Sequence, residues 1–148
     1  MESTGTKTET ETGTGTVNLP PRIKEFRHTK FYGVIIACRY YDKHGEYENL
    51  PRTHEDAKLA HKMLSGFSTK PEDIFVLYDP DWKTISALMG KIRTEIAGSD
   101  EIFTVFFYYS GHGETIDGHV AIVLNEAAGA PKYYYPIEAM LLSIASTP

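Results

Sequence analysis

Residues 101–114 read EIFTVFFYYSGHGE. Ile102, Phe103, Val105, Phe106, Phe107 and Tyr108 make a nearly unbroken apolar and aromatic run. It is much shorter than the roughly 20 residues a membrane-spanning helix needs. A short run rich in β-branched and aromatic residues, closed by Ser110-Gly111, predicts a strand buried on both faces and central to a sheet. The glycines around His112 let the backbone turn sharply and approach another molecule closely. An imidazole, the side chain that titrates nearest neutral pH, is thereby placed at the rim of the sheet. An exposed turn histidine would leave the same four letters, and a short motif does not separate the two readings alone.

The flanking segments supply the context. Residues 31–41, FYGVIIACRYY, predict a second buried strand, and residues 73–78, DIFVLY, a third. Between them Ala57, Ala60, Met63 and Leu64 recur at helical spacing, with Thr53 as the expected N-cap. Asp79-Pro80 predicts the start of a second helix, with Ile85, Leu88, Ile92 and Ile96 as its apolar stripe. Beyond His112, Asp117-Gly118 signals a hairpin within residues 116–124. Residues 136–146, PIEAMLLSIAS, predict a last helix. Strands alternating with helices argue for an α/β fold, a mostly parallel sheet with helices on its faces. Sites in such sheets lie at the carboxyl ends of strands, where His112 falls.

With 148 residues, 41% of them hydrophobic and 24% charged, the chain suits one globular domain. Residues 1–21 are a separate, Thr-rich arm whose alternating Thr, Gly, Lys and Glu offer no apolar face, so disorder is expected there. A net charge of −5 gives no electrostatic footprint for nucleic acid. No apolar segment predicts a membrane partner or a signal peptide, and a single cysteine, Cys38, allows no internal disulfide. A cytoplasmic, intracellular location is the expectation. Neither His28, His44, His54, His61 nor His119 has metal-ligand spacing, so no metal and no cofactor is expected. Asp42, Glu114 and Asp117 are the residues that would join a calcium site.

Three blocks carry a family resemblance: GVIIACRYY (33–41), LPRTHEDA (50–57) and YYSGHGE (108–114). The last resembles the histidine motif of the caspase-like cysteine peptidases of clan CD and type C14, closest to the metacaspase and paracaspase branch. The likeness runs over about residues 31–146. It implies a caspase-like three-layer sandwich over residues 29–148, comprising the large-subunit (p20-like) portion and incomplete at its C-terminal side. It also implies cysteine endopeptidase chemistry on a peptide or protein substrate. In that chemistry a thiolate attacks the peptide carbonyl, a histidine protonates the leaving amine and backbone amides hold the oxyanion. By similarity His112 is the general acid/base and the Gly113 amide an oxyanion donor. Asp56 and Ser110 correspond to the S1 residues that select arginine or lysine by charge-assisted hydrogen bonds. Taken alone, Asp56 equally suits the first turn of a helix and Ser110 a turn.

The family nucleophile follows its histidine by about 50 residues. No cysteine follows His112 here. The resemblance therefore implies a chain inactive by itself, needing a C-terminal half or a second caspase-like chain. Cys38, near the end of the first strand, is the one candidate for a displaced nucleophile, although a buried strand cysteine is usually inert. Two other readings stand beside the enzyme: a pseudo-caspase adaptor, and an unrelated small α/β ligand-binding domain. The latter would lack a GxxxxGK phosphate loop.

Overall fold

The computed structural model describes residues 30–42, 46–67, 70–125 and 134–145. The Thr-rich arm, His28 and His44 lie outside the described residues. Strand β1 (Lys30–Ala37) is the centre of the fold. Its sequence, KFYGVIIA, places apolar side chains on both faces, as a strand covered on both sides requires. Val34, Ile35 and Ile36 have no exposed surface, and each contributes about 2 kcal/mol by leaving water.

Strands β2 (Ile74–Tyr78) and β3 (Phe103–Ser110) flank β1 and run parallel to it. The register sets Ala37 beside both Tyr78 and Ser110, so all three strands end at one level. Alternation along β1 divides the core in two. Ile35 and Ala37 meet Ala57, Ala60 and Leu64 of helix α1 (Thr53–Leu64) on one face. Val34, Ile36 and Cys38 meet Ile85, Met89 and Ile92 of helix α2 (Trp82–Ala97) on the other. Helices thus cover both faces of a parallel sheet, the three-layer α/β sandwich expected from the alternation of elements.

The central position expected for the 101–114 run belongs instead to β1. Strand β3 is half-buried along most of its length, with Phe106 exposed. The reason is placement: β3 bonds only to β1 and lies at the sheet edge among the described residues. Two helix starts also differ from expectation. The N-cap of α1 is Arg52, while Thr53 is buried and turns its hydroxyl back onto the Leu50 carbonyl at 3.1 Å. Helix α2 is capped by Asp81, whose carboxylate accepts the Thr84 amide at 2.8 Å. Pro80 precedes the helix, and Asp79 is freed for another task.

After β3 the chain folds into an antiparallel hairpin of β4 (Gly113–Ile116) and β5 (His119–Val123), extended by β6 (Tyr134–Pro136). Ile116 pairs with His119 across Asp117 (φ 50°) and Gly118 (φ 82°), the two left-handed residues a tight hairpin turn demands. Nothing lies within 4 Å of a Cβ added at Gly118, so Gly118→Ala tests backbone strain alone. It is expected to cost about 1 kcal/mol in denaturant unfolding, and an unchanged midpoint would contradict this turn geometry. Helix α3 (Ile137–Ala145) follows and packs Ile137 and Ile144 on the α2 side of the core. No helix among the described residues is long and apolar enough to cross a membrane.

Candidate functional site

The level ending of the three parallel strands gathers the loops after β1, β2 and β3 at one rim. His112 stands there, two residues beyond β3. Its Nε2 is 2.9 Å from the Glu48 carbonyl oxygen. A carbonyl only accepts, so Nε2 carries the proton and Nδ1 is left as the basic nitrogen. The ring packs against two aromatics that also touch each other, with Tyr41 edge-on at 4.7 Å and Tyr47 tilted at 5.1 Å between centroids. Its main chain is held as well. The His112 amide donates to the Tyr41 hydroxyl at 2.9 Å, and its carbonyl accepts from the Tyr109 hydroxyl at 2.7 Å and the Val123 amide at 2.9 Å.

The Val123–His112 bond also fixes the neighbouring amide. It makes Gly113 and Ile122 a non-hydrogen-bonded pair of the hairpin ladder. The Gly113 N–H therefore points away from β5, on an exposed residue. Asp56 and Ser110 come together across the α1–β3 boundary, where the Ser110 hydroxyl donates to Asp56 Oδ2 at 3.1 Å. The half-buried carboxylate sits in the first turn of α1, where the helix dipole favours negative charge. Its neighbour Glu55 is neutralised by Arg39 at 2.8 Å.

Cys38 follows β1 directly, its amide bonded to the Ser110 carbonyl at 2.9 Å. The side chain is fully buried. Burial pushes its thiol up to about 12, the Asp79 carboxylate adding in the same direction. A thiol needs ionisation to attack a carbonyl, and this environment opposes it. The acidic side chains named for calcium do not converge: among the described residues no three such groups could hold an ion. Asp42 instead accepts from the Asn49 side chain at 2.6 Å. A cavity of about 350 Å³ lies between the β4–β5 hairpin and α3, lined by Ile116, Ala121, Pro136 and Leu142 among others. It shares no residue with the His112 cluster.

Several contributors escaped the sequence reading. Asp79, expected to cap a helix, adopts φ 45° at the end of β2 and accepts the amides of Arg39 (2.6 Å) and Tyr40 (3.1 Å). Its other carboxylate oxygen meets His54 Nε2 at 2.7 Å. One side chain thus ties the loop after β1 to β2 and α1. Its place at a strand's carboxyl end was the available signal. The Glu48 carbonyl left none, since main-chain acceptors have no letter. Compared with known proteins, residues 31–147 match the family model for the caspase domain of the C14 peptidases. No curated protein matches the chain.

Proposed function

The chain belongs to the caspase-domain family, and from that footing we propose that it bears the histidine side of a cysteine endopeptidase site cleaving after arginine or lysine. The observation that carries this reading is the tautomer imposed on His112. With Nε2–H held by the Glu48 carbonyl, Nδ1 can take a proton from an incoming thiol and return it to the leaving amine. The Gly113 amide, aimed out of the ladder, suits the developing oxyanion. The Asp56 carboxylate, approached by the Ser110 hydroxyl, suits a cationic side chain in the preceding subsite.

Cys38 is not the thiol of this reaction, because its burial keeps it protonated. The nucleophile arrives on a further segment, a C-terminal half or a second caspase-like chain. A strand added along the outer edge of β3 would end beside Ser110 and His112, and strand addition to an open sheet edge is a common mode of docking.

Two measurements on the purified chain test this. A peptide with a C-terminal arginine, titrated into labelled protein, is expected to shift the amide resonances of residues 110–113. Asp56→Asn should weaken it about tenfold, the scale of one charge-assisted bond. Equal affinity for an aspartate-ended peptide would refute the arginine or lysine assignment. An arginine-ended peptide carrying a thiol-trapping group should leave the intact mass unchanged. An adduct on Cys38 that disappears in His112→Ala would instead make the chain a self-sufficient peptidase. Failure of any peptide to bind would favour the adaptor reading.

A further inference from the structure

The two phenols beneath His112 do more than fill the core. Tyr41 is fully buried, yet its hydroxyl is spent as an acceptor for a single main-chain amide, that of His112 at 2.9 Å. Its ring meets the imidazole edge-on, 70° between planes. Tyr109 lies opposite, its one hydroxyl proton directed to the carbonyls of His112 (2.7 Å) and Val123 (3.0 Å). The two phenol oxygens are 3.4 Å apart, and Cys38 is within hydrogen-bonding reach of both. The peptide groups on either side of the His112 Cα are therefore each held by a tyrosine hydroxyl. The Glu48 carbonyl holds the far end of the ring.

Gly111 has the place this arrangement requires. A Cβ there would lie 2.7 Å from Tyr41 Oη and 2.6 Å from Tyr109 Cζ, closer than a Cβ approaches other heavy atoms. The first glycine of SGHG is thus the gap through which both hydroxyls reach the histidine backbone.

We propose that Tyr41 is a positioning residue for His112, with Tyr109 as its brace. This rests on the reading of His112 as acid/base. The hydroxyl sets the height of the His112 peptide, and the ring edge sets the plane of the imidazole, so Nε2 meets the Glu48 carbonyl and Nδ1 faces outward. Geometry at this scale matters, since misplacing a catalytic group by about 1 Å can cost a hundredfold in rate.

The test observes the ring directly, so it separates this inference from the peptidase reading, which the peptide titration addresses. In the unmodified chain, nitrogen NMR of His112 should show the Nε2–H tautomer as the main neutral form and slow hydrogen exchange at the His112 amide. A dominant Nδ1–H form or a fast-exchanging amide would overturn the proposal without any variant. Tyr41→Phe keeps the aromatic edge and removes the hydroxyl, both the acceptor of the His112 amide and the contact with the Tyr109 hydroxyl. It should speed His112 amide exchange about tenfold relative to neighbouring β3 amides, the scale of one lost hydrogen bond, and reduce the Nε2–H population. A folded Tyr41→Phe chain with both signals unchanged would assign Tyr41 to packing alone. Should Tyr41→Phe fail to fold, Tyr109→Phe is read by the same signals. There, an unchanged tautomer and an unchanged amide would refute the brace.

Discussion

Raising the pH from 8 to 11 is expected to remove about 5 kcal/mol of folding stability, much of the 5–15 kcal/mol typical of a domain. The cause is the cluster of the buried Cys38 and Tyr41 with the partly buried Tyr109. Burial pushes Cys38 and Tyr41 each up to about 12 and raises Tyr109 further, Cys38 and Tyr41 adding to the rise at Tyr109. Ordinary values are 9.0 for the thiol and 10.0 for the phenols. All three are acids whose folded values lie above the unfolded ones. Their contribution is therefore intact below pH 9 and lost as pH rises toward the folded values. Between those limits the unfolded chain has released protons that the folded chain retains. Each pH unit above an unfolded value costs about 1.4 kcal/mol per group. At pH 11 this is about 3 kcal/mol for Cys38 and about 1 kcal/mol for each tyrosine. Denaturant unfolding across pH 8–11 measures it, and the slope near pH 11 should approach three protons released. Cys38→Ala should lower that slope by about one. A stability flat across this range would mean that the cluster is hydrated, contrary to its burial.

Asp79→Ala is expected to cost about 3 kcal/mol and to loosen the rim. Its carboxylate accepts two main-chain amides and contacts His54, and bonds to a charged acceptor are worth more than neutral ones. Alanine also tolerates φ 45° less well than aspartate, whose short polar side chain favours that region. The loss should spread to the site, because the amides released belong to Arg39 and Tyr40, next to Tyr41. Asp79→Asn keeps one acceptor oxygen and the backbone preference, and about 1 kcal/mol is expected for it. Chemical denaturation of the three proteins, with exchange at the His112 amide as a second readout, gives the comparison. Equal stability of Asp79→Ala and native protein would show the Asp79 network to be replaceable by water.

The place of His112 just beyond a strand end was legible because its letters are local. Ser110, His112 and Gly113 follow a run with a clear strand signature, and a strand end in an α/β sheet is where functional groups collect. Asp56 was singled out only through the family resemblance, since its place in the first turn of α1 reads equally as structural, and the structure brings it to Ser110 at 3.1 Å. Asp79 was misread because Asp-Pro is an ordinary helix-start signal. The preference was overridden when its carboxylate found three donors at the rim. Tyr41 gave no sign of its contact, since His112 lies 71 positions along the chain.

By itself the sequence determined the order and type of the main elements, the hairpin turn at Asp117-Gly118 and the placing of His112 at a strand end. Those features follow from hydrophobic period and local backbone preference, which act within a few residues. Only the tertiary structure decided which strand is central, which aspartate caps and which one ties the rim, the tautomer of His112 and the protonation of Cys38. Each of these depends on who stands next to whom across the sheet. Burial and hydrogen bonding at such contacts outweigh local preference, because an unpaired buried polar group costs more than any propensity supplies.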